Sequence, residues 1–209
     1  MLGLIIGRRR QGKSTLALAL AMMERRTVVV FDPNNQYAGF PAVSTVEEVG
    51  AALERSSDGD IIRYLPAPPV EQHWEALADL LDGGRWEWAD YTLILDEASM
   101  LMSPHYLDEK LERFARTAPK DVSLILTTHR PRDIHPLFRA LATDLFCFQT
   151  TLALDVKVLQ ENYGAELSNA VQRLGRFQVA HYWLAEGGAP MVHVWDKPQE
   201  WYIDIGRKI

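Results

Sequence analysis

Gly7-Arg8-Arg9-Arg10-Gln11-Gly12-Lys13-Ser14-Thr15 fits G-x-x-x-x-G-K-[ST] at each fixed position. It follows the apolar run Leu2–Ile6 and opens the Leu/Ala-rich stretch Lys13–Arg25, the strand–loop–helix setting that the motif requires. There, glycines let the backbone wrap a polyphosphate, and successive N–H groups converge on it with the helix dipole behind them. Gly7 to Thr15 are therefore expected to cradle ATP, Lys13 to neutralise its β- and γ-phosphates, and the Ser14 hydroxyl to ligate Mg²⁺. Arg8, Arg9 and Arg10 crowd three positive charges into the variable positions. Either they face solvent and raise the local potential for nucleotide, or one of them reaches DNA or a neighbouring subunit.

Two carboxylates complete the hydrolytic set. Tyr91-Thr92-Leu93-Ile94-Leu95-Asp96-Glu97 reads as a buried strand that delivers Asp96 to its carboxyl end, where P-loop proteins hold Mg²⁺. Glu97 beside it can accept a proton from water attacking the γ-phosphate, a general-base role that favours hydrolysis over transfer to a small molecule. The next apolar run ends Thr127-Thr128-His129-Arg130-Pro131. In the additional-strand class of P-loop ATPases such a strand lies between those of the phosphate loop and the acid pair. A polar residue at its tip then faces the attacking water or the γ-phosphate, and of Thr127, Thr128 and His129 the reading favours His129 or Thr128. The six histidines show no ligand spacing beside cysteines or acids, which argues against zinc.

The elements that must position these groups are legible as patterns. Leu2–Ile6, Thr27–Phe31, Asp60–Tyr64, Tyr91–Leu95, Val122–Thr127 and Asp144–Thr150 are nearly unbroken apolar runs, which suits strands buried on both faces of a parallel sheet. Between them lie helix-like stretches, Lys13–Arg25, Val46–Arg55, Glu71–Leu81, Leu107–Arg116 and Leu137–Leu141, with a capping box expected at Thr45 and Glu48. Residues 154–163 and 165–174 read as two short helices broken at Gly164. Phe177–Leu184 and Met191–Trp195 flank a Gly-Gly turn and read as a hairpin. The expected fold is α/β, a P-loop NTPase with a mainly parallel central sheet flanked by helices and a C-terminal β-hairpin. The whole of 1–209 is read as one ATPase domain, with a core over 1–150 and the C-terminal helices and hairpin over 151–209.

The chain has 209 residues, 47% hydrophobic and 24% charged, the composition of an ordinary globular domain rather than a disordered or coiled-coil chain. No apolar run approaches the ~20 residues of a membrane span, and the N-terminus lacks the basic n-region of a signal peptide. The cytosol is the expected compartment. The single Cys147 excludes an internal disulfide and is read as a buried core thiol. A net charge of −6 argues against coating nucleic acid with the bulk surface, but not against a small basic patch. Two such patches are candidates for DNA: Arg85 with Trp86 and Trp88, and Arg130, Arg132 and Arg139. Core packing is the alternative for the two tryptophans. The aromatic C-terminal residues Tyr182, Trp183, Trp195, Trp201 and Tyr202 either extend the sheet or dock to another protein.

Five blocks together resemble the FtsK–HerA superfamily of DNA-pumping ATPases. They are the phosphate loop, Val29-Val30-Phe31-Asp32-Pro33-Asn34-Asn35-Gln36-Tyr37, Leu93–Glu97, Thr128-His129-Arg130-Pro131, and Thr143–Phe146 leading to Leu154–Lys157. They span residues 2 to about 160. His129 stands where the family usually has Gln, and Gln36 where Glu is common. The short length resembles the genome-packaging ATPases of tailless icosahedral, internal-membrane viruses. That resemblance implies a homo-oligomeric ring, hexamer or pentamer, which drives double-stranded DNA into a capsid. It further implies capsid or portal-vertex partners, the host-cell cytoplasm or virion vertex as location, and a trans-acting arginine, for which Arg113 and Arg116 are available. A phage-extrusion or conjugation-type ATPase, a small-molecule kinase, and a nucleotide-gated adaptor that binds ATP without pumping are the rival readings. The kinase is disfavoured by the Asp96-Glu97 pair and by the need for a substrate lid.

Overall fold

Apolar runs with no polar face need cover on both sides, and the helices supply it. A computed structural model describes residues 1–82, 90–117, 122–184 and 190–196. The first half contains β1 (Leu2–Ile6), α1 (Lys13–Met23), β2 (Thr27–Phe31), β3 (Ala42–Val43), α2 (Val46–Leu53), β4 (Ile61–Tyr64), α3 (Val70–Asp82) and β5 (Tyr91–Leu95). The second contains β6 (Met102–Ser103), β7 (Tyr106–Leu107), α4 (Glu109–Thr117), β8 (Ser123–Thr128), α5 (Pro136–Leu141), β9 (Asp144–Phe148), α6 (Ala153–Arg173), β10 (Val179–Leu184) and β11 (Pro190–Trp195). Nine strands form one sheet in the order β11-β10-β9-β1-β8-β5-β2-β4-β3. The strands from β9 to β3 pair in parallel, and β10 and β11 add an antiparallel ribbon at the β9 edge. This is the P-loop NTPase fold that the sequence predicts, with β8 inserted between β1 and β5.

Alternation along each strand divides the core in two. Ile5, Val28, Val30, Ile94, Ile125 and Phe146 face α1, whose Leu16, Ala17, Leu20 and Ala21 cover them. Leu4, Ile6, Val29, Phe31, Leu93, Leu95, Leu124 and Leu126 face the layer of α2 to α6. A period of two thus lets one unbroken apolar run serve both layers. Cys147 is buried, and burial pushes its thiol pKa far up, so it behaves as a core side chain.

Local signals hold where the chemistry is local. Thr45 and Glu48 form the reciprocal capping box of α2, and α6 is two helical pieces meeting at Gly164 (φ 90°, ψ 173°). Other boundaries move. The run expected as a strand to Thr150 ends at Phe148, and Thr128 belongs to β8. The helix expected from Leu107 begins at Glu109, because Leu107 is in the β6–β7 ladder and Asp108 caps the helix through Leu111 N–H, 2.9 Å. Tyr182 packs edge-on against Tyr163, and Trp195 against Phe146, so these C-terminal aromatics cover the sheet. Arg85, Trp86, Trp88, the hairpin turn 185–189, Trp201 and Tyr202 lie outside the described residues.

Asp108 also accepts from Nε1–H of the fully buried Trp74 at 2.9 Å, which joins α3 to α4. Asp108→Ala therefore leaves a buried indole N–H unsatisfied and removes a helix cap. A loss of about 2–3 kcal/mol is expected in urea denaturation, most of it restored in Asp108→Asn, which keeps the acceptor.

Candidate active site

The chemistry-bearing residues converge where β1, β8, β5 and β2 end. The loop after β1 is held open by close packing. Gly12 sits at φ 103°, a left-handed conformation that favours glycine. A Cβ on Gly7 would come within 2.9 Å of the Phe148 side chain and 2.8 Å of Gln11 Oε1. Gln11 braces the turn from inside. Its Oε1 accepts from Arg8 N–H at 2.5 Å, and its Nε2 donates to Gln149 O at 3.1 Å.

A cavity of about 900 Å³ opens above this loop. Arg9, Arg10, Gly12, Lys13, Ser14 and Thr15 line it from one side, and Asp96, Glu97 and His129 from the other. Asn34, Gln36 and Met100 also line it; the first two lie in the Asp-Pro block, whereas no pattern in the sequence marks Met100. Lys13 is 8% exposed. Its Nζ donates to His129 Nδ1 at 3.1 Å and toward Arg8 O at 3.4 Å. Burial lowers its pKa, against the pull of Glu97 and Asp96.

Thr127 joins the acid pair to the neighbouring strand. Its Oγ1 accepts from Glu97 N–H at 3.0 Å and donates to Asp96 Oδ1 at 3.0 Å. Ser14 Oγ approaches the same Asp96 oxygen at 3.5 Å. Hydroxyl and carboxylate oxygens are hard donors of the kind Mg²⁺ takes, so this pair fits the metal. Burial raises the Asp96 carboxyl to about 6, with the Thr127 bond working against the shift. Glu97 turns the chain out of β5 with φ 59° and ψ 53°, a left-handed conformation uncommon for a residue with a side chain. Its carboxylate is held at both oxygens, by Ser99 Oγ at 2.6 Å and His129 Nε2 at 3.0 Å.

His129 is thus the bridge between the phosphate-loop lysine and the candidate base. Where Nδ1 accepts from the Lys13 ammonium the ring proton lies on Nε2, facing Glu97, and the other tautomer donates from Nδ1 to the Gly7 carbonyl instead. Gly7 O lies 3.2 Å from the same Nδ1. Of the three tip residues, Thr127 serves the acid pair and His129 reaches the cavity. The buried Thr128 Oγ1 makes no hydrogen bond to the described residues. Arg113 and Arg116 are on α4, outside the cavity lining, with Arg116 in a surface pair with Glu112 at 2.9 Å.

The sequence reading missed the support under this site. Asp32, fully buried, accepts from Gln36 N–H at 2.7 Å, Tyr37 N–H at 3.0 Å and Arg63 Nε at 2.7 Å. Arg63 also donates to Phe40 O at 3.1 Å and to Asn35 Oδ1. The buried pair folds the 33–40 loop so that Asn34 and Gln36 face the cavity. One signal was available: Arg63 is a lone charge in the apolar run Ile61–Tyr64, and a buried charge needs a partner. Tyr37, also buried, has its phenol pKa pushed well up by burial and then by nearby Asp96.

No protein-family model and no curated protein matches the chain. Solved structures do. The genome packaging NTPase B204 from Sulfolobus turreted icosahedral virus 2, in complex with AMPPCP, superposes with a TM-score of 0.73 at 18% identity, over 92% of this chain and 96% of that one. The N-terminal domain of zonular occludens toxin from Neisseria meningitidis gives 0.54 at 12% identity, over 97% and 96%. The conjugation coupling protein TcpA, with ATPγS, gives 0.53 at 14% identity, over 91% of this chain and 58% of that one. All three are P-loop ATPases of the FtsK–HerA type. At these identities the likeness is one of fold.

The raised Asp96 carboxyl has a stability consequence for the ligand-free protein. Between about pH 4 and 6 the folded state keeps a proton that the unfolded chain has released, so stability falls as pH rises through that window. A shift from 3.8 to about 6 corresponds to about 3 kcal/mol once the group is ionised. Asp96→Asn keeps the acceptor for Thr127 without the charge. It is expected to melt above the parent protein at pH 8 and to match it near pH 4, in paired thermal unfolding scans.

Proposed function

We propose that this chain is an ATP-hydrolysing motor, a single ATPase domain that moves double-stranded DNA into a viral capsid. The observation that carries the hydrolytic part is the His129 bridge. It sets a carboxylate, held at both oxygens, beside a lysine at the mouth of a phosphate loop. The fold likeness to a packaging NTPase over nearly the full length of both chains supports the packaging part.

In this reading the loop from Gly7 to Thr15 binds the ATP phosphates and Lys13 bears on the β- and γ-phosphates. Ser14 and Asp96 would hold Mg²⁺, which when bound neutralises charge on the phosphate oxygens. Glu97, oriented by Ser99 and His129, takes a proton from the attacking water at a carboxylate oxygen. His129 keeps that carboxylate aimed at the cavity while its Nδ1 tracks the position of Lys13 Nζ. Arg113 and Arg116, which do not line the chain's own cavity, are assigned to a neighbouring copy's γ-phosphate in a hexameric or pentameric ring. The chain acts in the host cytoplasm or at the virion vertex, with capsid or portal-vertex proteins as partners. No helix among the described residues is long and apolar enough to cross a membrane. DNA contact is confined to a few arginines lining the ring, since a few phosphate contacts suffice for salt-dependent grip. The likeness to a conjugation coupling protein keeps DNA transfer between cells as the second reading.

Glu97→Gln is expected to bind ATP as the parent does while its turnover falls by about 10²-fold or more. Retained turnover removes Glu97 from its role. Double-stranded DNA is expected to raise the ATPase rate of the parent protein. A rate indifferent to DNA, with capsids present or absent, sinks the motor reading and leaves the nucleotide-gated adaptor.

A further inference from the structure

A second cavity, about 410 Å³, opens on the α6 side of the phosphate loop. Cys147, Phe148 and Leu159 give it apolar walls, and Arg8, Arg9 and Arg130 give it positive charge. It shares Arg9 and His129 with the phosphate cavity. His129 touches both Lys13 and Glu97, so the second cavity adjoins the place where the γ-phosphate would be cleaved.

Asp155, in the first turn of α6, also lines this cavity and is 2% exposed. Its Oδ1 is buried without a hydrogen-bond partner among the described residues, and Arg132 Nε is 3.9 Å away. A buried acceptor left open among arginines is costly unless a ligand completes it. The completing ligand must accept hydrogen bonds from guanidinium groups and also donate one to a carboxylate. Hydrogen phosphate does both, through its anionic oxygens and its P–OH. Sulfate carries no proton at neutral pH and a DNA phosphodiester has no P–OH, so either would face Asp155 acceptor to acceptor.

We propose that this cavity receives the inorganic phosphate released by hydrolysis, with Asp155 accepting from its P–OH and Arg130 from the arginine side donating to its anionic oxygens. The inference rests on the hydrolytic reading above. The chemistry balances: the attacking water gives one proton to Glu97, and its oxygen, carrying the other, joins the γ-phosphorus as the bond from that phosphorus to the β,γ-bridging oxygen breaks, so ADP leaves with the electron pair and the product is hydrogen phosphate. A phosphate that has passed His129 into this cavity no longer blocks the next ATP.

Direct titration tests this without relying on turnover. Inorganic phosphate is titrated calorimetrically into the full chain saturated with ADP and Mg²⁺, and separately into Lys13→Ala, so that the phosphate loop does not compete. One phosphate site is expected in both, with sulfate at least about tenfold weaker. Arg130→Ala is expected to weaken phosphate about tenfold, the scale of one charge-assisted hydrogen bond. Asp155→Asn is expected to abolish the preference for phosphate over sulfate. No phosphate binding in either protein, or equal affinity for sulfate in the parent, overturns the proposal. Should Asp155→Asn fail to fold, the parent's phosphate-to-sulfate ratio and Arg130→Ala decide. A chain that binds no ADP refutes the nucleotide reading by itself, and the Lys13→Ala titration still judges the cavity.

Discussion

The Thr127 hydroxyl holds the charged groups of the candidate site in one frame. By accepting from Glu97 N–H and donating to Asp96, it ties the tip of β8 to the turn that ends β5. That tie is possible only because β8 lies directly between β1 and β5. With β8 there, His129 emerges two residues beyond Thr127 and meets Lys13 on one side and Glu97 on the other. A hydroxyl suits the task because it is donor and acceptor at once. A valine of the same shape would take the acceptor from the Glu97 N–H and leave Asp96 Oδ1 with only the longer approach of Ser14 Oγ, at 3.5 Å.

Around that junction the site holds its charges at a cost. Burial lowers the pKa of Lys13 and raises that of Asp96, so each is disfavoured in its charged form until ligand arrives. Glu97 adds a left-handed backbone and Gly7 a contact too tight for any Cβ. Local strain and desolvation of this kind are tolerated where the surrounding core over-determines the geometry. The two apolar layers, on α1 and on α2 to α6, provide that surplus. The chain is acidic overall, with a net charge of −6, yet Arg8, Arg9, Arg10 and Arg130 gather on two cavities that flank one loop. Net charge therefore says little about the field at the site, which a handful of focused side chains decides.

Legibility followed the range of the interaction. The phosphate loop, the capping box of α2 and the break at Gly164 are local, each set by residues within a few positions of one another, and each was readable as a pattern. Strand existence was readable from apolar runs, but strand ends were not, since Thr128 and Gln149 to Thr150 differ in pairing rather than composition. The two-residue strands β3, β6 and β7 carry no period at all. Arg63 was visible as an anomaly, while its partner Asp32, 31 residues away, was not. Asp108 read as helix interior and proved to be a cap, because its second partner, Trp74, belongs to another helix.

By itself the sequence determined the fold class and marked the candidate groups: a loop that fits the phosphate-binding pattern, a carboxylate placed as a candidate metal ligand and a candidate base, each written into a short contiguous motif. Only the tertiary structure decided which groups meet. Lys13 and His129 are 116 residues apart and become neighbours because the sheet order places their strands side by side. The same order leaves Arg113 and Arg116 on a helix outside the cavity lining, and it buries Asp155 among arginines from two loops. Contacts of that reach depend on how strands are ordered and helices layered, which no spacing along a single segment encodes.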